Sequence, residues 1–399
     1  MSLKIRKKEL ICWVFLIVLW LPYTITTGNI MLSVLKRLSF FWACYLFVNE
    51  KTYQHRELYL LWAWIGWILL TTIINKTDLG ACFTSVYPIF STICILYFLI
   101  TKYSKNAVSF TVIVYSFFAI VQFIQFLQKG TSFGRYVGEV SYFFGIRVNY
   151  NDFFVFSMAS VFLAICLKIK KAHILSVIII GLGSWFVIAC KVSTAIMALL
   201  IFACVIVLSR FVRSKLVWYG VCTFIIVFCL LFVFGNVSPA KFTGVLVDFL
   251  GEDLTLNGRT VLWQQAFSQM KGIHWLIGNG YAHGYVFELN QFWSSTTAHS
   301  QYVNGLFCFG AIGIIIYILM LMKNISHIKK IEQKYWPVII ATNISMTFMG
   351  ISTTFYASPY MYVWFVFCIA IEQGYFIRNE ELWKNAKTEL VCRKGREKM

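Results

Sequence analysis

An arginine behind a turn and a histidine at the mouth of an apolar run are the two residues of this sequence best suited to chemistry. Arg259 follows Asn257-Gly258, a pair that favours a turn, and opens an apolar-periodic segment. It therefore stands where a helix N-terminus would add its unpaired amides to the attraction for an anion. A guanidinium gives two parallel charge-assisted hydrogen bonds, which suits the oxygens of a diphosphate. His299 sits in Ala298-His299-Ser300, with Thr296, Thr297, Gln301 and Asn304 around it. Those polar neighbours could hold the ring in one tautomer and leave the other nitrogen to take a proton from a hydroxyl. The pair would serve a group transfer in which a diphosphate departs and a hydroxyl attacks.

Other basic residues could join that seat. Arg147 precedes Asn149, Asn151 and Asp152 at the head of an apolar run; Lys191 lies at a tip between two runs, and Arg135 falls in a polar stretch. His274 and His283 stand in mid-loop without a comparable polar setting. Gly278-Asn279-Gly280 lacks the spacing and the preceding strand of a phosphate loop and is better read as a tight turn. Asp248, Glu252 and Asp253 fit a solvated turn better than a metal site, and no metal or cofactor is expected.

These residues must be held by membrane spans. The chain has 399 residues, 59% hydrophobic and 13% charged, a composition that excludes an ordinary soluble domain. Its net charge of +19 would point to nucleic acid in a soluble protein, but most of the charge falls between apolar runs, so no nucleic-acid partner is expected. The twelve cysteines lie mostly inside apolar runs and form no C-x-x-C pair, so they read as small hydrophobes.

Apolar runs place spans near 10–26, 30–48, 57–74, 79–100, 107–127, 152–167, 173–190, 192–209, 216–234, 302–322, 335–352 and 357–376. The fold class is an all-α polytopic membrane protein, a single integral domain of about twelve transmembrane helices. The apolar stretch 174–209 would measure roughly 54 Å as one helix, against a hydrocarbon core of roughly 30 Å. It must turn, and Lys191 is the tip. Every second connection is rich in Lys and Arg, which puts both termini, including the basic tail 377–399, in the cytoplasm. Two long loops, 128–151 and 235–301, then face outwards, the larger between spans 9 and 10. Within it Val261, Leu262, Gln265, Ala266 and Met270 are spaced as an amphipathic helix lying on the membrane surface.

The sequence resembles the O-antigen ligase and polymerase superfamily of bacterial membrane proteins. The likeness rests on Gly258-Arg259 with Trp263, Gly278-Asn279-Gly280, Ala298-His299-Ser300-Gln301-Tyr302, and Gly310-Ala311-Ile312-Gly313 inside the following span. Weaker matches are Arg147-Val148-Asn149-Tyr150-Asn151 and Lys191-Val192-Ser193-Thr194, so that the resemblance spans about 147–315. Ser300 stands where many relatives have asparagine, and Lys191 where many have arginine.

The resemblance implies a metal-independent glycosyltransferase in the bacterial cytoplasmic membrane acting on undecaprenyl-pyrophosphate-linked oligosaccharide. It implies that Arg259 binds pyrophosphate, that His299 is the general base, and that Arg147 and Lys191 are auxiliary contacts; Arg135 joins the pyrophosphate-binding set as a basic residue of the same outer face. A polymerase of O-antigen, capsule or exopolysaccharide is the first expectation, with a flippase and a chain-length regulator as partners. A ligase to lipid A core or another acceptor is the second. A flippase is the third, and the near absence of charge within the spans argues against it.

Overall fold

The apolar runs form helices, and the polar breaks end them. The computed structural model describes residues 7–26, 28–130, 141–144, 149–234, 259–281, 283–290, 293–326 and 334–376. Its helices are α1 (Lys7–Trp20), α2 (Tyr23–Thr26), α3 (Ile30–Asn49), α4 (Tyr59–Ile74), α5 (Leu79–Lys129), α6 (Tyr150–Cys166) and α7 (Ala172–Ala189). They continue with α8 (Ser193–Leu208), α9 (Lys215–Phe234), α10 (Arg259–Gln269), α11 (His274–Ile277), α12 (Gln301–Ser326), α13 (Trp336–Met349) and α14 (Pro359–Glu372). Each expected span coincides with helix, and among the described residues six helices are individually long and apolar enough to cross a membrane, α5 among them. The protein is a multi-pass membrane protein.

Two turns are instructive. The 51 residues of α5 would span roughly 76 Å if straight, so the two expected spans 79–100 and 107–127 require a break. It lies at Tyr103 (φ −141°, ψ 46°) between Lys102 and Lys105. Lys191 is the tip between α7 and α8, in the left-handed conformation at φ 50°. Lys51, Lys76 and Lys168 take the same conformation one residue past a helix C-cap, where an αL residue ends the hydrogen-bond ladder.

Burial sorts the helices. In α14 the residues from Tyr360 to Ile371 are all buried, and α13 is nearly as enclosed. A helix apolar all round belongs at the centre of a bundle. By contrast α3 and α9 expose Phe41, Val48, Phe224 and Leu231, as suits surfaces that meet lipid tails.

The helical architecture has an exception. Phe287–Asn290 (β1) and Trp293–Ser295 (β2) form a two-stranded antiparallel ribbon, pairing Phe287 with Ser295 and Glu288 with Ser294. The expectation of an amphipathic helix at the membrane surface also needs correcting. The helix exists as α10, but it buries Leu262, Trp263 and Ala266 inside the protein. Its Gln265 is tied to the ribbon by Nε2 donating to the Glu288 carbonyl (2.6 Å) and Oε1 accepting from the Glu288 amide (2.8 Å).

Candidate functional site: a histidine and an arginine beside a broken helix

The site is assembled on α12, and α12 is broken. Gly310 has φ 66° and ψ −173°, a backbone region essentially reserved for glycine, and the ladder of helical hydrogen bonds stops there. The carbonyls of Phe307, Cys308 and Phe309 are thereby released. Asn279 N–H donates to the first (2.8 Å), Gly280 N–H to the second (2.9 Å) and Trp67 Nε1–H to the third (2.8 Å). Irregular backbone at membrane depth survives when protein groups satisfy it in this way.

The Gly278-Asn279-Gly280 turn is therefore a plug for the break. Gly278 and Gly280 have φ 77° and 83°. A Cβ on Gly278 would lie 2.3 Å from the Cys308 oxygen, and one on Gly310 would lie 2.2 Å from the Leu276 oxygen. The two glycines let two backbones touch. His274 serves this turn, its Nδ1 donating to the Gly278 carbonyl at 2.9 Å, and so is structural.

The half-helix before the break carries the histidine motif, and nearly every residue around His299 is pinned. The Ala298 carbonyl accepts from Trp263 Nε1 (2.9 Å), and its amide donates to Asn304 Oδ1 (2.9 Å). Ser300 Oγ donates to the Gly350 carbonyl (3.1 Å) and stands 3.5 Å from the Val303 amide, as an N-cap does. Gln301 N–H donates to the same Gly350 carbonyl (2.7 Å), and Gln301 Oε1 accepts from Phe355 N–H (2.6 Å). Tyr302 OH reaches the Thr347 carbonyl at 2.7 Å, and Asn304 Nδ2 donates to Tyr356 OH.

His299 itself sits at φ 48°, a strained conformation ahead of a helix rather than behind one. Its Nε2 is 3.1 Å from Ser295 Oγ. That oxygen also accepts the Thr297 amide (3.1 Å) and lies 3.3 Å from Thr297 Oγ1. Burial, and after it the charge of Arg259, push the imidazole down from 6.5 to about 4, so the ring is neutral at physiological pH.

Arg259 lies near enough for its charge to act on this ring, and helix geometry accounts for its place. Trp263 fixes α10 against Ala298, and Arg259 lies one turn earlier on the same face. A cation at a helix N-terminus adds to the positive end of the helix dipole, so the two together call for an anion.

The structure thus brings Arg259 and His299 together. Lys191 is placed at the same end of the bundle: Thr194 Oγ1 at the start of α8 lies 2.9 Å from Ser352 Oγ, in the segment whose Gly350 holds Ser300. Arg135 and Arg147 lie outside the described residues, as do Asn257, Gly258 and the acidic cluster Asp248, Glu252 and Asp253. Sequence reasoning missed Ser295 and Gly350. Their only signals were two small-residue polar runs, Ser294-Ser295-Thr296-Thr297 and Gly350-Ile351-Ser352-Thr353-Thr354.

A helical membrane bundle with an anion-seeking helix start beside a neutral histidine is the class that fold and site define. Within it, residues 177–318 match the family model described as O-antigen ligase, so this segment carries a domain of the O-antigen ligase and polymerase superfamily. No curated protein matches the chain.

Proposed function

We propose that the protein is a polysaccharide polymerase of the bacterial cytoplasmic membrane, with twelve spans, both termini cytoplasmic and the site on the outer face. It would transfer a growing glycan from undecaprenyl pyrophosphate to the hydroxyl of a lipid-linked repeat unit. The observation that carries this reading is the convergence of the Arg259 guanidinium, the start of α10 and the neutral His299.

In the proposed step the acceptor hydroxyl attacks the anomeric carbon as the bond from that carbon to the phosphate oxygen breaks. The hydroxyl proton passes to the His299 imidazole, and undecaprenyl pyrophosphate leaves against Arg259. A base held near 4 is weak, chiefly through burial; a bound diphosphate offsets the Arg259 charge and so relieves the smaller of the two causes. Lys191 stands by as a further phosphate contact, with Arg147 and Arg135 proposed in the same role. Placement and charge neutralisation supply the catalysis, with no metal in the step. The flippase and the chain-length regulator remain proposed partners.

The test is the product of purified protein given a synthetic undecaprenyl-pyrophosphate repeat unit, separated by size. A ladder is expected from the wild type. His299→Ala should slow it by about 10²–10⁴-fold, and Arg259→Ala by about 10²–10³-fold. Single-step transfer to lipid A core with no ladder would replace the polymerase reading by the ligase. Undiminished ladders from both variants would remove these residues from the chemistry.

A further inference from the structure

Between the plug turn and the ribbon, residues 283–286 form no regular element, and the chain turns at Gly284 (φ 72°) before entering β1 at Phe287. His283, Tyr285 and Phe287 all turn to Phe307 of α12, with ring centroids at 4.7, 5.5 and 5.2 Å and interplanar angles of 84°, 82° and 76°. One buried phenylalanine organises three rings. Phe287 is buried beneath the ribbon, whereas Tyr285 keeps 39% of its surface exposed. Val286 is also open.

His283 has a defined proton. Its Nδ1 accepts the Tyr285 amide at 3.0 Å, which in a neutral ring puts the hydrogen on Nε2. Burial lowers its pKa to about 4, so it stays neutral. A donor without charge suits a hydroxyl or ring oxygen, whereas a diphosphate would select a cation. That choice separates this patch chemically from Arg259.

The patch is continuous with the candidate site. Phe287 pairs with Ser295, whose Oγ contacts His299. Chain reach and pair spacing put Tyr285 within about 13 Å of Ser295, backbone to backbone. An exposed aromatic ring beside a neutral donor is what the two sides of a pyranose require: C–H groups on the ring face and a hydroxyl at the edge.

We propose that Tyr285 and His283 form a saccharide subsite that holds the acceptor sugar beside His299, Tyr285 as the stacking platform and His283 as the hydrogen-bond donor. The assignment rests on the transferase reading for the name acceptor, but not for sugar binding as such. Phe307 is the positioning residue, and neither His283 nor Tyr285 takes part in bond making.

Two measurements on the purified full-length protein test it. The first is saturation-transfer NMR with the lipid-free repeat-unit oligosaccharide. The second is transfer at fixed lipid-linked donor with a short-lipid acceptor analogue varied. Tyr285→Ala and His283→Phe, the latter keeping a ring against Phe307, should raise the acceptor KM about 10-fold with kcat within about twofold. Both should weaken the saturation-transfer signal, and Tyr285→Trp should restore it. An unchanged KM and an unchanged signal in both variants would overturn the subsite while leaving the transferase reading intact. A fall in kcat at constant KM would also overturn it. If the wild type transfers nothing yet binds the oligosaccharide in a Tyr285-dependent way, the subsite stands and the transferase reading fails. Should His283→Phe not fold, by its unfolding temperature, Tyr285→Ala decides the matter alone.

Discussion

Replacing Gly310 by alanine should undo the architecture on which the site is built. The residue holds φ 66° and ψ −173°, and a Cβ there would meet Leu276 O at 2.2 Å and Gly278 N at 2.5 Å. Both obstacles are backbone atoms, and the Gly278 amide is itself bonded to the His274 carbonyl (2.8 Å), so neither swings aside as a flexible side chain would. The backbone conformation costs an alanine on the order of 1–3 kcal/mol. If α12 instead straightens to relieve it, the amides of Asn279 and Gly280 lose the Phe307 and Cys308 carbonyls, at about 1 kcal/mol each. Either route costs roughly 1–3 kcal/mol, a sizeable share of the usual stability of a fold. In detergent this should appear as a lower unfolding temperature, by roughly 1–4 °C for a chain of this size. Gly66→Ala is the control, because that helical glycine has nothing within 4 Å of a Cβ. Gly278→Ala should match Gly310→Ala, and the double variant should fall short of the sum, since both strike one contact. If Gly310→Ala unfolds at the temperature of Gly66→Ala, the plug does not hold the broken helix and the reasoning fails.

The remaining predictions concern how His299 is held. Ser300→Ala removes an N-cap and the hydrogen bond to Gly350, at about 1 kcal/mol each, and should lower kcat more than it raises KM. Ser300→Asn restores a capping side chain and should recover most of the rate; equal rates for the Ala and Asn variants would count against capping as the reason. His283 and His299 both have folded pKa values near 4 against 6.5 for the free side chain. The unfolded chain therefore takes up protons first as pH falls. Their contribution is complete above pH 6.5 and declines between 6.5 and 4, by up to roughly 3 kcal/mol each. Unfolding temperatures at pH 7.5 and 5 should show the decline, reduced in His283→Phe; a flat profile in the wild type would contradict the burial assigned to these rings. For the same reason the acid limb of kcat/KM should lie near pH 4 rather than 6.5.

Parts of this were legible in the chain and parts were not, for a physical reason that recurs. Lys191 as a tip followed from length alone, because the run it interrupts is too long for one crossing. Arg259 as a helix start followed from the local turn chemistry of Asn257-Gly258, and the glycines at 278 and 280 from their own preference for turns. Each of these depends on neighbours in sequence. The side of α10 that Trp263 chooses does not: its indole N–H needs an acceptor when buried, and the acceptor is the Ala298 carbonyl, 35 residues along. A hydropathy pattern cannot tell lipid from protein as the apolar partner, which is why a surface helix was the natural expectation. Likewise Ser295 gained its place only through a ribbon whose strands are too short to signal themselves.

The long-range contacts explain why a histidine on a loop can be placed as firmly as one on a helix. Ala298 is held from α10, Ser300 and Gln301 from the segment after α13, and Tyr302 from α13 itself. With both neighbours fixed, His299 must absorb the turn between them, and it does so at φ 48°. A glycine would relax there more cheaply, but would carry no ring. The strain is the consequence of asking one residue to turn the chain and present an imidazole towards Ser295 and Arg259. The break at Gly310 serves the same end: by stopping the rigid ladder of α12 below the motif, it lets the turn at 278–280 lock the loop to the first half of that helix. The geometry of the candidate site, which loops would hold loosely, is here referred to a nine-residue half-helix (301–309) clamped by its neighbours.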